Sequence, residues 1–142
     1  SMMLSDVVTF LKAVSGSPFR HVDQALALAS IQANPPRQVP AAYVVPTSSM
    51  AGPNTTGTQE VRQRKTIRFG VVIVQRVHDD AAGSRRAEEI ETLAEHLETV
   101  LVGWTPGEAF TPITFVRGSL VHMTEGEVWW LHEFSTDTTL RG

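Results

Sequence analysis

The stretch EVRQRKTIRFGVVIVQRV, residues 60–77, decides how this chain folds. Ile67, Phe69, Val71, Ile73 and, at the far end, Val77 alternate with Arg68, Gly70, Val72, Val74 and Arg76. Across 67–74 both alternating sets are largely apolar, the pattern of a central strand covered on both faces. The segment before it, Glu60 to Thr66, is polar and carries Arg62, Arg64 and Lys65. From 65 to 77 alone such a strand runs about 43 Å at ~3.3 Å per residue, against ~17–20 Å for an ordinary one. Its polar start is therefore expected to project past the core as an arm, over about residues 47–66. The polar residues after Val45 are its expected partner. An isolated two-stranded arm is marginal in water, so another subunit would order it best.

Upstream, Ala41-Ala42-Tyr43-Val44-Val45 between Pro40 and Pro46 predicts a strand. Residues 46–58 are rich in Ser, Thr, Gly, Asn and Pro and read as a mobile loop. Leu4, Val7, Val8, Leu11 and Val14 recur at helical spacing, with Ser5 and Asp6 at the start and Gly16 and Pro18 as the stop. Residues 20–33 are ambiguous. Their alanines favour a short helix with Asp23 as its cap and Leu26, Ala29 and Ile31 partly inward. Asn34-Pro35-Pro36 ends it.

Downstream, Ala87, Ile90, Leu93, Ala94, Leu97, Val100 and Leu101 form the stripe of a helix over 84–102, with Gly103 at its C-terminal cap. Thr114–Met123 and Glu127–Ser135 read as strands joined by Thr124-Glu125-Gly126 into a hairpin, with Trp129, Trp130 and Phe134 as bulk. The order α, weak α, β, β, α, β, β predicts an α+β fold. Its sheet is mostly antiparallel, with helices packed on one face. No boundary or internal repeat divides residues 1–142, which are expected to form a single domain.

Composition narrows the function. The chain has 142 residues, no Cys and a formal net charge of −3. A chain of this size buries roughly 68 % of its unfolded surface and needs no staple. Disulfides, thiolate nucleophiles and Cys-based zinc sites are excluded. No apolar run reaches the ~18 residues of a membrane span. The N-terminus lacks a signal peptide's basic and apolar regions, which points to the cytosol or to an assembly built from it. Ser1 ahead of Met2 and Met3 reads as an addition before a start methionine.

Chemistry is sparse. There is no phosphate-cradling glycine motif, and Gly118-Ser119 lacks the surroundings of a nucleophile elbow. His78-Asp79-Asp80 is the best metal candidate, as an imidazole with two carboxylates. A solvated turn explains the same residues. His21 and Asp23 would share one strand face, unless Asp23 caps a helix. His122 and His132 would be cross-strand neighbours in the hairpin, a poor catalytic pair without a carboxylate. The glutamates opposite the apolar stripe of the second helix read as a solvated face.

Charge is distributed unevenly. Residues 59–76 carry five bases and one acid, and residues 88–98 carry five acids and no base. A head-to-tail contact would match the two, and such contacts repeated by rotation close into rings. Two separate solvated surfaces would give the same composition. An overall acidic chain argues against a dedicated nucleic-acid binder.

The run Pro40-Ala41-Ala42-Tyr43-Val44-Val45-Pro46, a polar loop, and then Phe69-Gly70-Val71-Val72-Ile73-Val74 resembles the tail terminator (tail-completion) proteins of long-tailed bacteriophages and prophages. The likeness continues through the helix ending Leu101-Val102-Gly103-Trp104-Thr105-Pro106. It closes on Val128-Trp129-Trp130 and Phe134, and so spans most of residues 4–140. It implies a subunit of a hexameric ring in the virion tail, assembled in the bacterial host cytoplasm. The ring would cap the tail tube, end its polymerisation and present a surface to the head-tail connector protein. DNA would pass through the lumen. The resemblance implies no catalysis, no cofactor and no metal. It assigns no residue a role, so the subunit-interface candidates come from the charge pattern: Arg62, Arg64, Lys65 and Arg68 against Glu88, Glu91, Glu95 and Glu98. A small metal-dependent enzyme using His78, Asp79 and Asp80, and a neck or head-completion subunit, are the competing readings.

Overall fold

A computed structural model describes residues 3–76 and 84–142. The elements run α1 (Met3–Ala13), β1 (His21–Gln24), α2 (Leu28–Ala33), β2 (Ala41–Ala51), β3 (Arg62–Arg76), α3 (Ser84–Leu101), β4 (Thr114–Met123) and β5 (Glu127–Arg141). The strands form one five-stranded sheet in the order β1-β2-β3-β5-β4. Only β1 and β2 pair in parallel; the other three ladders are antiparallel. The fold is α+β with a mostly antiparallel sheet, as the pattern of elements implies.

β3 lies at the centre, and its alternation builds two cores. Phe69, Val71 and Ile73 point to the face covered by α1 and α3, where they meet Val7, Leu11, Leu93, Leu97 and Phe134. Val72 and Val74 point to the other face, with Tyr43, Val45 and Trp129. Ile31 of the short α2 closes part of that second face. Gly103 takes a positive φ of 88° at the end of α3, a conformation glycine adopts without strain. There its N–H bonds Ile113, while Trp104 stacks on Phe10 at 4.1 Å.

Residues 20–33 depart from expectation. His21–Gln24 form a strand, Asp23 is not a cap, and Leu26 is exposed. The Asp23 carboxylate accepts its neighbour Gln24's N–H instead. The helix starts only at Leu28 and has no side-chain cap. The parallel partner β2 decides the matter: it offers β1 a ready row of backbone groups, which outweighs weak alanine propensity.

The arm exists but is three-stranded. β2 continues past Val45 to Ala51, so residues 46–51 are strand and not loop. A register shift between Pro46 and Ser48 accommodates the proline. β5 runs to Arg141 rather than ending at Ser135. Both ladders accompany β3 beyond the core: Ala51 faces Lys65, and Arg141 faces Arg62. The tip is latched by Asn54, whose carboxamide accepts from the Arg62 N–H (2.9 Å) and donates to the Glu60 carbonyl (3.0 Å). The loop after α3 grips the same strand through Thr136 to Thr111 (2.6 Å) and Thr138 to Ala109 (2.7 Å). Hydrogen bonds, not apolar burial, carry this half of the sheet.

His96 on α3 is half-buried beside the Phe19 ring, and its Nε2 is buried with no partner among the described residues. Burial holds its pKa below the usual 6.5. The unfolded chain therefore takes up this proton at higher pH than the folded one. Stability from this group is complete above about pH 6.5 and declines as pH falls below it. A His96→Leu variant is expected to lose less of its urea midpoint than wild type between about pH 7 and about pH 5. Parallel loss in the two proteins would contradict this origin.

Candidate functional site: two charged faces and a groove

Alternation along β3 sorts the basic cluster. Arg62, Arg64, Thr66 and Arg68 share one face, and Lys65 points to the other. Register places Arg141 opposite Arg62 and Asp137 opposite Thr66. Met50 of β2 also faces Thr66, between the Arg64 and Arg68 rows, and is 77 % exposed. The arm thus presents an apolar knob flanked by guanidinium groups. Arg64 lies 3.9 Å from Asp137; among the described residues Arg62 and Arg68 have no ion-pair partner. The like-charge pair Arg62–Arg141 opposes arm stability; Glu60 lies beside these two arginines at the tip and offsets part of their charge.

The acidic row is sorted too. Glu91, Glu95 and Glu98 line a groove of about 800 Å³ between α3 and the β4–β5 hairpin, whereas Glu88, nearer the start of the helix, lies outside that lining. The groove's floor is apolar, with Leu120, Met123, Val128 and Trp130, and Glu125 adds a further carboxylate. Leu120 is 52 % and Met123 64 % exposed. Large apolar groups exposed together inside a charged rim mark contact surfaces in soluble proteins.

Beneath this groove lies a feature that sequence inspection did not find. His132 is buried, and its Nε2 stands 2.7 Å from the Glu98 carboxylate. The Trp130 indole N–H donates to His132 Nδ1 at 3.1 Å. An indole nitrogen only donates, so Nδ1 is unprotonated and the ring's proton sits on Nε2, donated to Glu98. Phe115 stacks on the imidazole at 4.4 Å. The set contains the carboxylate and imidazole of a hydrolytic triad, but an indole occupies the position where a nucleophilic hydroxyl would have to stand. Its effect is to pin α3 to β5 and to fix Trp130 in the groove floor. The signal was available: Trp130 and His132 are two apart, hence on one face of a strand.

Other candidates are placed as follows. His122 faces Trp129 and His132 faces Gly118, so the two histidines are on opposite sheet faces and not cross-strand neighbours. The bulge between Leu120 and His122 shifts the register that alternation alone predicts. His21 and Asp23 do share a strand face, 3.9 Å apart, with the Tyr43 ring edge-on to His21. Burial, and then the Asp23 carboxylate, push the Tyr43 phenol above its ordinary range. No cluster of three or more metal-ligating side chains occurs among the described residues. His78, Asp79 and Asp80 lie outside the described residues. No helix among the described residues is long and apolar enough to cross a membrane.

An α+β subunit whose most conspicuous surfaces are a basic arm and an acid-rimmed apolar groove has the makings of a component of an assembly. The model of the family described as phage tail terminator protein matches residues 5–142. The chain belongs to that family, and its role is that of a structural component of the bacteriophage tail, in virion assembly, among other tail or head-tail components. No curated protein matches. One solved chain, whose name states no activity, matches over 94 % of this chain and 88 % of its own length. Its identity is 14 % and its TM-score 0.44, too low to carry an argument.

Proposed function

We propose that this protein closes into a ring, sized by its own subunit contacts, that caps the tail tube and ends its polymerisation. The ring then offers its outer surface to the head-tail connector. The family match over residues 5–142 carries this reading. The activity is geometric: an occupied tube end denies the next tube subunit its docking surface, and no bond is made or broken. Six copies per ring is the number the family resemblance suggests. The contacts between copies use the basic arm and the acidic face of α3, whose charges are opposite and lie on different elements of one subunit. DNA passes through the lumen without sequence-specific binding. Because a phosphate-gripping channel would impede that passage, the arm's arginines face protein or the ring rim.

Particles assembled without this chain test the reading by electron microscopy. Over-long tails of variable length are expected, restored to uniform length by supplying the protein. Normal-length tails that fail to join heads would indicate a neck subunit instead.

A further inference from the structure

We propose that the groove between α3 and the β4–β5 hairpin receives the arm of a second copy of this chain, with Met50 seated on Leu120, Met123 and Trp130. The proposal rests on the ring reading and names the surfaces that reading leaves open. Three observations converge on the same occupant. The groove is apolar within and carries Glu91, Glu95, Glu98 and Glu125, while the arm carries one exposed methionine with Arg64 and Arg68 on either side. The two surfaces therefore match in both polarity and sign. Each is only partly neutralised at home: Arg64 lies near Asp137 and Glu98 bonds His132, but among the described residues Glu91, Glu95, Glu125 and Arg68 have no ion-pair partner. The arm face and the groove also lie on opposite sides of the sheet. Arg64 and Arg68 share the face of Gly70 and Val72, whereas Trp130 packs with the α1 and α3 side. One subunit cannot fold its own arm into its own groove, so the contact is heterologous and propagates from copy to copy until it closes.

The fold thereby selects among the eight charged candidates. Arg64 and Arg68 engage Glu91 and Glu95, with Glu98 already held by His132. Lys65 faces the other side of the arm and Glu88 lies outside the groove lining, so both are bystanders. A desolvated methionine ringed by charge pairs is the arrangement expected of an interface centre with a polar rim. Methionine's flexible thioether adapts to an irregular floor such as that made by Leu120 and Met123.

The absence of cysteine makes crosslinking clean. A chain carrying both Met50→Cys and Met123→Cys is treated with a short bismaleimide, as purified protein and on isolated tails. Both positions are well exposed, so folding is preserved. The expected result is a ladder on a denaturing gel that stops at the ring size. Mixed single variants, Met50→Cys with Met123→Cys, are expected to couple at least about tenfold more than Met50→Cys with Leu26→Cys, because docking raises the effective concentration. Arg64→Glu with Arg68→Glu is expected to abolish the band, and adding Glu91→Arg with Glu95→Arg to restore it. Lys65→Glu and Glu88→Lys are expected to leave it intact. Coupling no greater than the Leu26 control in both settings overturns the proposal, as does a band that stops at the dimer. Tail length tests the ring reading separately: controlled length without the ladder removes the groove contact alone, and a ladder with uncontrolled length removes the capping role alone.

Discussion

Phe69→Ala is expected to lower the unfolding free energy by about 3–5 kcal/mol, a large share of the roughly 5–15 kcal/mol that holds an ordinary domain together. Phe69 has no exposed surface and stacks on Phe134, also fully buried, with ring centroids 5.7 Å apart. It occupies the point where the apolar core ends and the arm begins. On one side it pairs with Pro46, at the edge of the register shift; on the other it pairs with Phe134. Ladders on both sides fix the backbone around it, so the site cannot collapse into the vacated volume, which is the condition for a large cavity cost. Phe115 supplies an internal reference. It touches the same ring cluster, 5.8 Å from Phe134, but is 42 % exposed. Phe115→Ala is the milder truncation for that reason. Urea titration followed by tryptophan fluorescence compares the two, and equal losses of midpoint would mean that Phe69 is not the keystone of the core.

The same position shows what the sequence makes legible. From Phe69 to Val74 every side chain is apolar or glycine because both faces are covered, and a run of that kind has no other economical fold. α1, α3 and the hairpin are readable for the related reason that each presents a one-sided stripe to the core. Beyond Phe69 the rule changes. Arg62 to Thr66, Ser48 to Ala51 and Thr136 to Arg141 form strands because they pair with one another, not because they bury apolar side chains; the one buried residue among them is the hydroxyl-bearing Thr136. Hydrophobic period carries no trace of such pairing, and the proline at 46 argues against a strand until its register shift is seen. β1 is illegible for a similar reason: its four residues bury only Val22.

The candidate site divides along the same line. The charge blocks at 62–68 and 88–98 are visible as composition. Which members share a face follows from alternation for the arginines. The groove does not follow from either block, because its floor joins residues of α3 to residues of a hairpin some thirty positions later in the chain, and Glu98 and His132 are themselves 34 residues apart. The glutamate row, taken as a uniformly solvated face, is in fact divided: Glu91 and Glu95 rim a groove, and Glu98 reaches inward to an imidazole.

That inward contact makes Gly118 the position of the second large effect. Gly118 of β4 lies opposite His132, and a Cβ built on it would stand 2.7 Å from His132 Nδ1 and 2.9 Å from Trp130 Nε1. These are atoms of two rigid rings joined by a hydrogen bond, and His132 is anchored a second time by Glu98. Neither ring can move aside without breaking the bond. Gly118→Ala is therefore expected to cost about 1–3 kcal/mol for overpacking and about 1–3 kcal/mol more where Nδ1 loses its indole donor. Gly70→Ala is the control. Its added Cβ would collide with the end of the Leu131 side chain, a flexible group that can rotate away, so the smaller loss is expected there. A midpoint loss for Gly118→Ala no larger than that for Gly70→Ala would show that the Trp130–His132 pair is not held as tightly as its geometry indicates. Because Trp130 is part of the groove floor, the alanine should also alter near-ultraviolet circular dichroism and weaken coupling between Met50→Cys and Met123→Cys chains. Gly70→Ala, on the face away from the groove, should leave that coupling unchanged. Stability and assembly then fall together at one glycine and separate at the other, which is the behaviour required if the buried indole both completes the fold and forms the seat for a neighbouring arm.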